Sequence, residues 1–377
     1  MLSAVLIFFL TISVRFASSY IQAFETESAN RSSKFLGFGI GLVRFVNSNC
    51  TSSDGLEGIC YNRWECKRVG GITSGSCATG VGVCCIVQKT CDGTTTSNNT
   101  YFVNTNFPNS FTGGACTLTI KKLGSDICQA RIDFIAFSVN QPDATGNCLS
   151  DGLTITGGAS PVPTICGENG GQHLYVNFAG NANILMNIYA GGVSNSRRVW
   201  NFKISQIGCD CPTQAPSGCL MYYTGLTGTV RSFNYGTTGN AVATRQLTNQ
   251  NYGVCIAMQP GYCSINWSQT PGDQYSFTVT GDTPTSVTAG TISTNAAAVI
   301  GAICTTDYVV IPNPTFTDTA AAANVDRFCG NGFEPLSTSS KPFVLTVVND
   351  ATETGDLGNR GFSLDFSQQR CSGVPLG

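Results

Sequence analysis

Residues 148–176 read CLSDGLTITGGASPVPTICGENGGQHLYV, and this stretch sets the plan of the chain. It opens as Cys148-x-x-Asp151, alternates apolar and polar residues as a half-buried strand does, turns through glycine and proline, and closes on Cys166-Gly167. A second copy lies downstream. It reads CTTDYVVIPNP from Cys304, again Cys-x-x-Asp, and DRFCG from Asp326, again closing on Cys329-Gly330. An internal repeat fixes the number of folding units, and here the number is two.

The cysteines around the repeat run in parallel. One set is Cys91, Cys116, Cys128, Cys148, Cys166 and Cys209; the other is Cys219, Cys255, Cys263, Cys304, Cys329 and Cys371. In each set the third cysteine opens a strand, ICQARIDFIAFSV from Ile127 and YCSINWSQ from Tyr262. The sixth ends an alternating strand, WNFKISQIGC and GFSLDFSQQRC. Trp200, Phe202 and Ile204 fall on one face of the first of these, and Phe362, Leu364 and Phe366 on one face of the second, so each strand has a buried side and a wet side. Ser, Thr, Gly and Asn abound and helix formers rarely recur at a spacing of 3.6, which makes the expected fold all-β.

Cys148-x-x-Asp151 with Cys166-Gly167, Cys304-x-x-Asp307-Tyr308 with Cys329-Gly330, and the terminal Gly361-Phe362-Ser363-Leu364 resemble the CUB domain, an extracellular β-sandwich. The resemblance covers residues 91–371 as two CUB-like, disulfide-stapled sandwiches, at 91–211 and 219–371. It implies the pairs Cys91 with Cys116, Cys148 with Cys166, Cys219 with Cys255 and Cys304 with Cys329. The repeat alone then joins Cys128 to Cys209 and Cys263 to Cys371.

Some members of that family bind calcium through an acid ahead of the Cys-x-x-Asp, through that Asp, and through an Asp in a late loop. Calcium takes six or more oxygens, several of them carboxylate. The first unit offers Asp143 and Asp151 but no acid in its late segment; the second offers Asp307 and Asp350 but no acid in STNAAAVIGAIC. Asp307 and Asp350 are therefore the calcium candidates, with no other cofactor expected. The alternative for Asp151 and Asp307 is a loop carboxylate that accepts from nearby backbone amides.

The chain begins MLSAVLIFFLTISV, an apolar run too short to span a bilayer, followed by Ala17, Ser18 and Ser19, so residues 1–19 read as a signal peptide. Residues 20–49 read as an N-terminal arm or propeptide. Residues 50–87 then carry Cys50, Cys60, Cys66, Cys77, Cys84 and Cys85 among many glycines, a segment too small for an apolar core and dependent on staples. The neighbours Cys84 and Cys85 should reach two different partners. This array, ending in a Cys-Cys pair, resembles the clip domain of arthropod extracellular proteases and their inactive relatives. The whole layout is similar to secreted arthropod proteins.

Nineteen cysteines with a single histidine, His173, and no paired Cys-x-x-Cys knuckles argue for disulfides made outside the cell rather than for structural zinc. Sequons at Asn30, Asn49, Asn98 and Asn266 agree with secretion. Twenty basic against 22 acidic residues, a net charge of −2, gives no field for nucleic acid, and no later stretch is apolar enough to span a membrane. One cysteine is left over, Cys211 in the linker CDCPTQAPSGC; it is either a free thiol or a disulfide to a partner or a second copy.

No catalytic constellation is legible, and no enzyme is expected. His173 stands at the start of an alternating strand without a Gly-x-Ser-x-Gly or His-Glu-x-x-His run to employ it. Arg197-Arg198 reads as a solvated turn, Trp200 as core, and Trp64 as the tryptophan most free to be exposed. The expected function is non-enzymatic binding of extracellular proteins or glycans through sandwich loops. Two other readings are a non-catalytic regulator of an extracellular serine protease cascade and a structural component of cuticle or matrix.

Overall fold

The computed structural model describes residues 34–36, 43–192, 197–238, 244–281, 292–356 and 358–371. The expected signal peptide and Asn30 lie outside the described residues. The chain divides into two compact units at Val87 and Gln88.

In the first unit β1 (Lys34–Leu36) pairs antiparallel with β2 (Val43–Phe45). Then β3 (Asn49–Thr51) pairs with β4 (Glu57–Tyr61), and β4 and β5 (Gly71–Cys77) both pair with β6 (Gly82–Lys89). A short helix, α1 (Arg63–Arg68), starts at Asn62, whose Oδ1 accepts from the Glu65 N–H at 2.8 Å. The buried apolar residues described there, Ile59, Tyr61, Val83, Ile86 and Val87, are few and lie around half-cystines, so covalent staples do the work of a core: Cys50–Cys84, Cys60–Cys77 and Cys66–Cys85. Adjacent residues on a strand face opposite ways, which is why Cys84 and Cys85 on β6 reach separate partners. Trp64, on α1, is 67% exposed, with the Arg68 guanidinium 5.1 Å over its ring.

The second unit contains two sandwiches. In the first, β7 (Gly93–Thr95), β9 (Gly114–Ile120), β11 (Asp151–Thr156) and β13 (Ile184–Ala190) form one sheet in the order β11-β13-β9-β7. Facing it are β8 (Thr100–Val103), β10 (Ile127–Ser138), β12 (His173–Asn177) and β14 (Val199–Gly208), in the order β12-β10-β14-β8. Period-two patterning puts Ile132, Phe134, Trp200, Phe202 and Ile204 between the sheets, all at most 1% exposed. Disulfides join Cys91–Cys116, Cys128–Cys209 and Cys148–Cys166.

The second sandwich repeats the plan with longer loops. One sheet holds β15 (Cys219–Tyr223), β17 (Asn251–Ile256), β20 (Ala298–Ile300), β21 (Tyr308–Val310), β23 (Arg327–Gly330) and β25 (Phe343–Val348), ordered β15-β17-β25-β21-β23-β20. The other holds β16 (Thr227–Arg231), β18 (Tyr262–Gln269), β22 (Pro314–Phe316), β24 (Leu336–Thr338) and β26 (Gly361–Arg370), ordered β16-β26-β18-β24-β22, with β19 (Phe277–Thr278) also paired to β26. Trp267, Phe362, Leu364 and Phe366 face inward. The disulfides are Cys219–Cys255, Cys263–Cys371 and Cys304–Cys329. The protein is thus an all-β, disulfide-rich sandwich protein. Among the described residues no helix is long and apolar enough to cross a membrane.

The two sandwiches share one continuous apolar core, bridged where Phe233 meets Phe134 at 6.4 Å between ring centroids and Tyr252 at 5.2 Å. The linker is clamped as well: Gln129 of β10 donates to the Ala215 carbonyl at 3.0 Å and accepts from its N–H at 2.9 Å. Cys211 has no disulfide partner and is half-buried in this linker, its thiol 3.1 Å from the Thr213 hydroxyl.

Candidate metal centre

The strand register of the second sandwich assembles the site. Tyr308 of β21 stands opposite Val348 of β25, so Asp307, one residue before β21, faces the loop that leaves β25. That loop, residues 349–356, turns back on itself through an Asp350 Oδ1 to Thr352 N–H bond at 2.8 Å and an Asp356 N–H to Glu353 carbonyl bond at 3.0 Å. The result brings the carboxylates of Asp307, Glu353 and Asp356, all buried, within 4.8 Å of one another. Asp307 Oδ1 accepts from the Asp350 N–H at 3.0 Å, and Glu353 Oε2 accepts from Gln246 Nε2 at 3.0 Å. Asp356 Oδ1 accepts from the Gly281 N–H.

Two oxygens remain without a hydrogen-bond partner among the described residues, Asp307 Oδ2 and Glu353 Oε1. Both residues are wholly buried, and neither has an ion-pair partner among the described residues. Crowding of like charges in a desolvated site opposes ionisation. Burial, with the neighbouring acids adding to it, pushes the Asp307 carboxyl up to about 7 and that of Glu353 up to about 9.

The equivalent position in the first sandwich meets the same problem differently. Asp151, also buried, forms a two-pronged pair with Arg198, Nε to Oδ2 and Nη2 to Oδ1, each at 2.7 Å, and accepts from the Asn140 N–H at 3.0 Å. Arg198 is 3% exposed, so the expectation of a solvated Arg197-Arg198 turn is corrected: Arg197 is exposed, whereas Arg198 turns inward because a buried carboxylate needs a counter-charge. Asp143 holds its own turn, its Oδ1 accepting from the Thr145 N–H, the Thr145 hydroxyl and the Asn147 N–H at 2.9 Å each.

The donor set of the second sandwich fits a hard divalent cation. Calcium is bound by carboxylate and carbonyl oxygens at roughly 2.3–2.6 Å, and three clustered carboxylates, two with unengaged oxygens, supply the charge it requires. Of the expected pair, Asp307 is in the cluster, while Asp350 joins it through its backbone N–H and turns its carboxylate to Thr352. Glu353 and Asp356 were missed, because a loop rich in Thr and Gly gives no period from which to read direction. The sign that was available is the acid density of NDATETGD, three carboxylates in eight residues.

The other marked residues fall elsewhere. His173 is buried where the sandwiches meet, its Nε2 2.9 Å from the Tyr222 carbonyl oxygen, and burial with Arg131 nearby pushes its imidazole down to about 4. Its ring packs edge-on to Tyr175 and Tyr223. Asn49 is exposed, and Asn98 and Asn266 are partly buried, with Asn98 Oδ1 accepting from the Gln206 N–H at 2.7 Å. A groove of about 820 Å³ also opens beside the junction, lined by Pro161, Tyr175, Leu220, Tyr222, Tyr252 and Phe343.

Residues 216–369 match the family model of the animal CUB domain, a match that supports a CUB-containing protein. Among solved structures, the CUB1-EGF-CUB2 domains of rat MASP-1 are 13% identical, covering 73% of this chain and 99% of that one at a TM-score of 0.27. The CUB1-EGF-CUB2 domain of human MASP-1/3 is 15% identical, covering 71% and 98% at a TM-score of 0.24. The full extracellular region of zebrafish Gpr126/Adgrg6 is 10% identical, covering 73% of this chain but 36% of that one at 0.27. No curated protein matches the chain.

Proposed function

We propose that this is a secreted, non-catalytic protein that binds extracellular proteins or glycans, and that its second sandwich presents binding loops organised by calcium at Asp307, Glu353 and Asp356. CUB domains generally mediate protein binding in extracellular proteins. The observation that carries the calcium reading is the contrast between the two repeats. Asp151 has its counter-charge in Arg198, and Asp307 and Glu353 have none within the described chain, so a proton or a cation from solution must neutralise them, and a divalent cation displaces the protons. A bound ion supplies positive charge that holds the 349–356 loop in one arrangement, and ordered loops on a rigid stapled scaffold make specific contact surfaces.

The test is capture from native extracellular fluid by the tagged protein in calcium and in EGTA, beside Asp307→Asn and Cys211→Ser versions. Partners retained in calcium, and lost with EGTA and with Asp307→Asn, are the expected result. Retention indifferent to both would sink the calcium-organised surface. A serine protease among the partners supports the cascade-regulator reading, and matrix proteins the structural one. Loss with Cys211→Ser alone would move the contact to the linker thiol.

A further inference from the structure

We propose that the same cluster couples a divalent cation to the docking of the two sandwiches on each other, with the Asp143–Asn147 turn of the first sandwich serving as a wall of the site in the second. This rests on the calcium reading above. Glu353 is the shared part. While its Oε1 belongs to the cluster, its backbone N–H donates to the Thr145 carbonyl of the first sandwich at 3.0 Å. The next residue, Gly146, has φ +81°, and a Cβ there would stand 2.3 Å from Glu353 Cγ and 2.9 Å from Thr248 Cγ2, so only glycine lets the turn seat. The seat is finished by Thr248, whose N–H donates to the Gly146 carbonyl at 3.1 Å and whose hydroxyl donates to Asn147 Oδ1 at 3.0 Å.

Both sides of this contact are built to be stiff. Asp143 pins the turn through its three bonds, and Gln246 joins Glu353 Oε2 to the Val279 carbonyl through 3.0 and 2.8 Å contacts. A cation that takes Asp307 Oδ2 and Glu353 Oε1 as ligands fixes where Glu353 stands. Its backbone cannot move without losing Thr145. A cation that holds Glu353 in place therefore holds the turn, and by linkage a seated turn strengthens cation binding by the same factor. The remainder of the junction would follow. Asn234 there accepts from the Glu168 N–H at 2.9 Å and donates to Gln141 Oε1 at 2.9 Å, and Gln172 donates to the Arg231 and Ser232 carbonyls at 3.1 and 2.9 Å.

The experiment titrates calcium into the full secreted chain by calorimetry and follows amide exchange across residues 167–177 and 219–234 with and without the ion. Gly146→Ala presses the turn against the Glu353 stem, whereas Asn147→Ala changes the first sandwich without touching a residue of the cluster, so it is the variant that reads the coupling alone. The expected result is calcium binding by the natural chain, weakened about tenfold in Gly146→Ala and by less in Asn147→Ala, with slower junction exchange in calcium. If the natural chain binds calcium while both variants bind it equally well, or if junction exchange ignores the ion, the coupling is wrong and the calcium reading survives. If the natural chain binds no calcium at millimolar ion, both are wrong. Asn147→Ala removes only one side chain from a partly buried turn, so it keeps the coupling testable should Gly146→Ala fail to fold.

Discussion

Asp151 and Asp307 hold equivalent places in the repeat and are both buried, yet one faces an arginine and the other faces two more acids. Desolvated charge must be compensated: the first sandwich does so with a side chain, and the proposed site in the second would do so with an ion in place of protons. Replacing Arg198 by Met should cost about 3–5 kcal/mol in chemical denaturation, since it strands Asp151. The double change Arg198→Met, Asp151→Asn should recover much of the loss; no recovery would mean that Arg198 acts through packing alone. In the sequence, Asp307 was legible from its motif, because Cys-x-x-Asp fixes the residue at a strand entry. Arg198 was not, since an arginine after a Ser- and Asn-rich stretch looks solvated until its partner is known. Glu353 was hidden too, for its burial comes from a turn of the first sandwich about 200 residues away.

At the scale of elements, the strands were the most readable part of the chain. Strict alternation in WNFKISQI and GFSLDF marks an inward face, and β14 and β26 bury the residues that it marks. Phe202, touching Phe134 and Phe137 at ring-centroid distances of 4.9 and 5.1 Å, should cost about 3–5 kcal/mol on replacement by Ala, read as a shift in denaturation midpoint. A cost below about 1 kcal/mol would show that the two sheets do not pack there. The contact between the sandwiches was not legible. It is made by polar side chains such as Gln172, Asn234 and Thr248 reaching backbone groups of the other sandwich, and such residues carry no period. Gly167 shows the same limit: its place in the Cys-Gly motif was visible, but the reason for it, an Asn234 side chain that would lie 1.9 Å from any Cβ, appears only once both sandwiches are built.

For the whole molecule, the titrating groups set opposite limits in pH. Asp307 and Glu353 are acids whose pKa rises on folding, so the stability they contribute is present below their usual range near 4 and is lost as pH climbs through about 7 and about 9. His173 is a base whose pKa falls on folding, from 6.5 to about 4, so its contribution is lost as pH drops through that interval, by roughly 3 kcal/mol at most. Over about pH 4.5 to 6.5 the two acids outweigh the one histidine, so thermal scans of the calcium-free protein should show highest stability near pH 4 to 5 and a fall from there toward about pH 9. The fall should steepen at its acidic end in His173→Gln, and saturating calcium should flatten its alkaline end. A calcium-free profile that stays level from pH 5 to 9 would contradict the burial of these carboxylates. The central claim is the ion itself, and its most direct test is a calorimetric calcium titration of the purified protein at neutral pH beside Asp307→Asn. Saturable binding of one ion to the second sandwich, abolished by that substitution, is the predicted result; no heat at millimolar calcium, or binding unchanged in Asp307→Asn, would contradict it.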